Sequence, residues 1–287
     1  MESASKDVLI TIAMDLDLPS LLRWCQSNSR VNEKVCNNSN VWKNKLIRDY
    51  PDYEKFGLDK SLKETYVFMY QLSLIKKLLG TNESLYEIFL RKEIDLSRRG
   101  LKKVPAFDLP NLRRLYLSYN KLTEVPTFDL PNLQKLGLYN NNLTKVPTFN
   151  LPNLQVLNLS NNNLTEVPAF NLPNLQELGL YNNNLTEVPA FDLPNLQRLV
   201  LYNNKLTEVP AFNLPNLQVL YLYNNKLTEV PAFNLPNLQR LVLYNNKLTE
   251  VPIFDLPNLQ KLYLYDNNLT STVKRRLKDK YGDKIHL

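Results

Sequence analysis

One tetrapeptide, Leu-Pro-Asn-Leu, starts at Leu109, Leu130, Leu151, Leu172, Leu193, Leu214, Leu235 and Leu256, and each step is 21 residues. So short a period constrains the fold more than composition does. A 21-residue segment cannot bury its own apolar face, so successive segments must stack and share one core.

Between the tags runs a second pattern, as in Leu217-Gln-Val-Leu220-Tyr-Leu222-Tyr-Asn-Asn225-Lys-Leu227. A degenerate copy, Ile94-Asp-Leu96 followed by Leu101 and Val104-Pro105, precedes the regular ones, giving about nine coils. The spacing L-x-x-L-x-L-x-x-N-x-L over residues 91–270 resembles the leucine-rich repeat family. The expected fold is an α/β solenoid of 21-residue coils with a parallel inner β-sheet. Strands of about three residues are expected, centred on Tyr116, Gly137, Asn158, Gly179, Val200, Tyr221, Val242 and Tyr263. Leu220 and Leu222 point inward and Tyr221 outward, because strand side chains alternate. Each return segment carries two prolines, which remove backbone donors and disfavour helix. The convex side is therefore extended or polyproline-like. The Asn column from Asn120 to Asn267 falls where the chain turns, so its amides can satisfy buried backbone groups. The Phe column from Phe107 to Phe254 forms a second inner spine.

Residues 1–80 read as an α-helical domain, 81–270 as the solenoid and 271–287 as a helical cap. Helices are predicted over Asp7–Leu16, after an Asp17 cap with Pro19 in the first turn, over Val31–Cys36, and over Val41–Tyr50 after a Ser39 cap. Ser61-Leu-Lys-Glu64 is a capping box that opens a helix to about Leu79, ended by Gly80. Ser271 can cap a last helix to Tyr281, and residues 284–287 can add a strand. His286, the one histidine, belongs to that cap.

The first helices carry a second resemblance. Asp7-Val-Leu-Ile-Thr-Ile-Ala-Met-Asp-Leu-Asp-Leu-Pro-Ser-Leu-Leu, then Ser29-Arg-Val-Asn and Asn40-Val-Trp42, is similar to an F-box. Lys6-Asp7-Val8-Leu9 stands where that family has Leu-Pro-x-Glu. The resemblance implies a Skp-family adaptor docking on Leu9, Ile12, Leu18, Pro19, Leu21, Leu22 and Trp42. An F-box would leave Leu18, Pro19, Leu21 and Leu22 partly exposed; a domain that only caps the solenoid would bury them. The Asn-rich style also resembles F-box-like proteins of giant viruses of amoebae.

The net charge of +7 divides as zero over 1–90, +3 over 91–270 and +4 over 271–287. That balance gives slight support to nucleic acid and is explained equally by solubility. No apolar run approaches the ~20 residues of a membrane span, and the amino terminus lacks a signal-peptide pattern. The two cysteines, Cys25 and Cys36, do not flank the solenoid as capping disulfides would. The chain is read as intracellular, in cytoplasm or nucleus, of a host cell if the source is viral.

Function in a solenoid is read where coils differ. One inner-surface column runs Glu93, Arg114, Lys135, Val156, Glu177, Arg198, Val219, Arg240, Lys261. The next has Tyr116, Tyr221 and Tyr263, with Gly137, Asn158 and Gly179 leaving the middle coils shallow and poor in anchors. The third holds Tyr181, Tyr202, Tyr223, Tyr244 and Tyr265, a ladder roughly 20 Å long at ~4.8 Å per strand. Tyr and Arg are enriched at binding hot spots. The candidate partner site is thus Arg114, Tyr116, Lys135, Tyr181, Arg198, Tyr202, Tyr221, Tyr223, Arg240, Tyr244, Lys261, Tyr263 and Tyr265, suited to an acidic or phosphorylated protein segment. Stacking of single-stranded nucleic acid is the lesser use of the same face. One histidine gives no metal cluster or Ser-His triad, the six glycines make no phosphate loop, and no cofactor is implied. Together the two resemblances imply a non-enzymatic substrate receptor of a cullin-type ubiquitin ligase. A binding scaffold without ubiquitin is the competing reading.

Overall fold

A computed structural model describes residues 5–287, which form two compact units, 5–90 and Arg91–Leu287. The division falls ten residues beyond Gly80 because a further helix, not a linker, follows it.

The helical unit contains α1 (Lys6–Asp15), α2 (Leu18–Ser27), α3 (Ser29–Val31) running into a π turn (Asn32–Cys36), α4 (Ser39–Asp49), α5 (Leu62–Leu79) and α6 (Leu85–Phe89). Side-chain oxygens start most of them. Asp17 accepts from the Ser20 amide, and capping boxes at Ser61–Glu64 and Ser84–Glu87 open α5 and α6. Asn38, not Ser39, caps α4. Gly80 closes α5 in the left-handed conformation, φ 61°. Lys45 is fully buried, and its Nζ donates to the Ala13, Met14 and Leu16 carbonyls at 3.4, 3.1 and 2.9 Å. It thus satisfies orphan acceptors at the end of α1, while burial pushes its pKa down.

The Arg91–Leu287 unit is one parallel sheet in chain order, β1 to β10. Its strands are β1 (Glu93–Asp95), β2 (Arg114–Tyr116), β3 (Lys135–Gly137), β4 (Val156–Asn158), β5 (Glu177–Gly179), β6 (Arg198–Val200), β7 (Val219–Tyr221), β8 (Arg240–Val242), β9 (Lys261–Tyr263) and β10 (Ile285–His286). Each regular strand centres on the buried leucine, such as Leu115, one residue before the predicted centre. The chain leaves the sheet early because it must reach a left-handed residue four positions after that leucine, at Tyr119, Asn140 and their counterparts to Asp266, φ 52–55°.

Three Asn columns bind coil to coil. The buried one behaves as predicted: Asn183 Oδ1 accepts from the Leu164 amide, and its Nδ2 donates to the Leu159 and Leu180 carbonyls at 3.1 and 3.0 Å. The tag asparagines from Asn132 to Asn258 form a second, each donating to the proline carbonyl of the preceding coil, as Asn174 does to Pro152 at 2.8 Å. The left-handed asparagines form a third, in which Asn182, Asn203, Asn224 and Asn245 each donate to the Asn before at 2.6–2.7 Å. The Phe rings from Phe128 to Phe254 stack at 5.7–6.4 Å between centroids. The convex side between 104 and 256 carries no helix. Thr270, not Ser271, caps α7 (Ser271–Tyr281), which buries Val273 and Leu277.

Candidate functional site: the inner face of the sheet

Each regular strand buries its central leucine and turns the residues on either side of it to the inner face. The third column follows the next buried leucine. All thirteen candidate partner residues occupy these outward positions. Tyr181, Tyr202, Tyr223, Tyr244 and Tyr265 stack ring on ring, with centroids 4.4–4.6 Å apart and planes within 8–14°. Strand spacing alone sets that distance, so parallel registration of identical residues produces the stack.

Burial first, and neighbouring phenols second, push the Tyr202 and Tyr223 pKa values up. The positive charge of the face comes from its Arg and Lys residues. Arg198 lies over Tyr221, 4.9 Å from the ring centroid. Lys135 and Arg240 are exposed and Lys261 is half-buried. Arg114 is the exception, held by Glu93 at 3.0 Å.

The structure gathers six of the candidates around one hollow of about 270 Å³: Tyr221, Tyr223, Arg240, Tyr244, Tyr263 and Tyr265. His286 continues this region, stacked on Tyr263 at 4.5 Å. Sequence reasoning gave it only a capping role; the last strand expected over 284–287 is present as β10 paired with β9, and it is this pairing that brings His286 beside Tyr263. Tyr116 lies apart, in a hollow with Arg98, Tyr119 and Tyr139, where Arg98 covers the Tyr119 ring at 4.5 Å. That pair was also missed. Its available signal was that Arg98 and Tyr119 break the Asn column of left-handed residues.

The middle coils need correction. Gly179 leaves them indented and not merely shallow: a hollow of about 250 Å³ lies over β4–β6, lined by Asn158, Glu177, Gly179, Tyr181, Arg198 and Tyr202 among others.

The adaptor-docking set divides. Leu9, Leu18, Leu21 and Trp42 are buried at 1, 4, 0 and 2% exposure, so none of them is available as a docking surface. They face the interior of the helical unit, where Trp42 Nε1 donates to the Cys36 carbonyl at 2.8 Å. Ile12 and Pro19 are exposed, and Leu22 is half-buried. Val8, one turn before Ile12, is also exposed. Cys25 and Cys36 are joined in a disulfide, with Cα atoms 6.1 Å apart. Disulfides persist in oxidising surroundings, so the cysteine pattern no longer argues for an intracellular site. Among the described residues no helix is long and apolar enough to cross a membrane.

No curated protein sequence matches the chain. Solved structures do. A leucine-rich repeat protein of Leptospira interrogans is 30% identical over 68% of this chain and 66% of its own, with a TM-score of 0.50. This chain thus spans about two thirds of that protein's length. Listeria monocytogenes InlP is 28% identical over 75% of this chain and 67% of its own, with a TM-score of 0.59. The sequence model for leucine-rich repeats in two copies matches residues 110–151, 131–172, 152–193, 173–214, 194–235 and 236–275, which is more than half of the chain. With the parallel sheet, the buried Asn column and a scaffold suited to protein–protein interaction, these matches mean that the chain belongs to the leucine-rich repeat family.

Proposed function

We propose that this chain is a non-catalytic adaptor whose inner sheet holds an acidic or phosphorylated segment of another protein. The observation that carries the reading is the hollow framed by Tyr221, Tyr223, Arg240, Tyr244, Tyr263 and Tyr265. Its tyrosines are braced by ring contacts, so they supply rigid contact area at little entropic cost, and Arg240 supplies forked donors for carboxylate or phosphate. The test is an affinity purification with the wild-type chain and the Arg240→Ala, Tyr221→Ala double variant. Proteins lost from the variant, with melting unchanged, support the reading; an unchanged set overturns it. Binding only to single-stranded nucleic acid, with steep salt dependence, would favour the nucleic-acid alternative.

The helical unit adds a finer reading. Exposed Val8 and Ile12, one turn apart on α1, offer a small apolar patch for a Skp-family adaptor, and Pro19 on α2 is exposed as well. The chain would then act as a substrate receptor, working by proximity to a ubiquitin-conjugating enzyme. That role places it inside a cell, of a host if the source is viral, where the Cys25–Cys36 pair would be reduced. Co-elution with a purified Skp-family protein, lost on Val8→Asp, Ile12→Asp, is the test. No co-elution leaves the scaffold without a ubiquitin role.

A further inference from the structure

Three features of the hollow over Gly179 bear on what it can hold. The first is shape. Gly179 lies in register between Asn158 and Val200, and with no side chain of its own it lies in the floor of a hollow of about 250 Å³. Small-molecule pockets run to roughly 300–1,000 Å³, so this volume suits one side chain better than a whole ligand.

The second is charge. Among the outward positions of β2–β9, Glu177 is the one carboxylate. It has no ion-pair partner among the described residues. Arg198, its register partner, is turned onto the Tyr221 ring. The stretch β2–β9, otherwise cationic, therefore holds one uncompensated acid beside this hollow.

The third is the ring at its edge. Tyr181 begins the tyrosine stack. Tyr202 covers one of its sides at 4.6 Å, and the preceding coil has Ser160 where a tyrosine would cover the other. Twice elsewhere, at Arg98–Tyr119 and Arg198–Tyr221, this molecule lays a guanidinium over a ring.

We propose that the hollow over Gly179 seats one arginine side chain of the bound protein, its guanidinium forked to Glu177 and laid against Tyr181. Arginine matches both features at once, because its planar group stacks on an aromatic face and donates in pairs to a carboxylate. Lysine carries a point charge and does neither. The proposal rests on the inner-face reading and sharpens it: the partner segment is acidic overall but carries one arginine over β5.

The test uses the full chain and N-acetyl-arginine amide as probe, titrated under NMR observation of backbone amides, with the lysine and glutamine analogues as comparators. Saturable shifts are expected at Glu177, Gly179 and Tyr181, with affinity for the arginine probe about fivefold or more above that for lysine. Glu177→Gln should weaken binding about tenfold. Gly179→Val should abolish it by filling the space. Val200 and Val242 hold the same place, but an added Cβ lies 3.2 Å from Asn158 Oδ1, which the Ser160 amide and hydroxyl hold, so a melt of this variant is run beside Glu177→Gln, which leaves the backbone and packing unchanged. No saturable shift at these amides, equal binding of the glutamine probe, or no change in Glu177→Gln would overturn the proposal. If the arginine probe fails while Arg240→Ala, Tyr221→Ala still costs the partner, the hollow alone is wrong. If the probe binds while that double variant is neutral, the wider face is wrong.

Discussion

Arg198 holds its guanidinium over Tyr221, on the next strand and two residues out of register, and not against Glu177, the carboxylate directly across from it in β5. An exposed pair with Glu177 would contribute ~0–1 kcal/mol, and contact with a ring face in a half-buried setting contributes as much. The choice braces one hot-spot pair and leaves one acid open.

The first expectation concerns binding. Replacing Arg240 and Tyr221 by Ala should cost about 2–4 kcal/mol of affinity for a protein partner, as removal of hot-spot residues does elsewhere. The melting temperature should barely move, since neither side chain is in the core. Calorimetric titration against a captured partner, beside a melt of each variant, measures both.

The buried Asn column should behave oppositely. Asn183→Leu strands the Leu164 amide and removes one of the two side-chain donors from each of the Leu159 and Leu180 carbonyls, which keep Asn162 and Asn204. It should cost about 1–3 kcal/mol in denaturant unfolding, the cost of one unpaired buried group. Asn203→Ala, in the exposed ladder, should cost less than about 1 kcal/mol.

Alkaline pH should loosen the solenoid. The folded pKa values of Tyr202 and Tyr223 lie above the usual phenol value, burial being the first cause. Their contribution is therefore fully present below about pH 10 and is lost as pH rises toward the folded values. Unfolding midpoints measured from pH 8 to pH 11 should fall over the upper part of that range. In Tyr223→Phe the decline should be shallower; an identical decline would remove the ladder as its source.

Lys45 offers a test confined to the helical unit. Lys45→Met keeps the length of the side chain but strands the α1 carbonyls it now caps. A loss of about 2 kcal/mol is expected in the helical signal on thermal unfolding. Reduction of Cys25–Cys36, which closes an 11-residue separation, should cost this unit about 2–3 kcal/mol by releasing the loop in the unfolded chain.

How far these features were legible in sequence depended on repetition. The Leu, Phe and buried Asn columns could be read because the same residue returns every 21 positions and only one stacking geometry reconciles them. Repetition did not reveal what the tag asparagines do, since an exposed amide and a coil-linking amide look alike until the coils are stacked. The Gly179 hollow was misjudged because an absent side chain reads as an absent anchor. In the helical unit there is no period to exploit. Leu18 and Leu21 fit a docking surface and a core equally well in sequence, and their burial was decided by neighbouring helices whose placement no local pattern encodes.

The ordered tyrosine stack and the amide ladder beside it repeat with the coil, so they present nearly the same surface to a guest that has slid by one strand, ~4.8 Å. A partner reading only these rows could dock at several offsets with similar energy. A carboxylate that occurs once among the outward positions of β2–β9, Glu177 beside the Gly179 hollow, removes that degeneracy. Glu177 therefore acts as an index mark on a repeating scale, fixing where along the sheet a bound chain must begin.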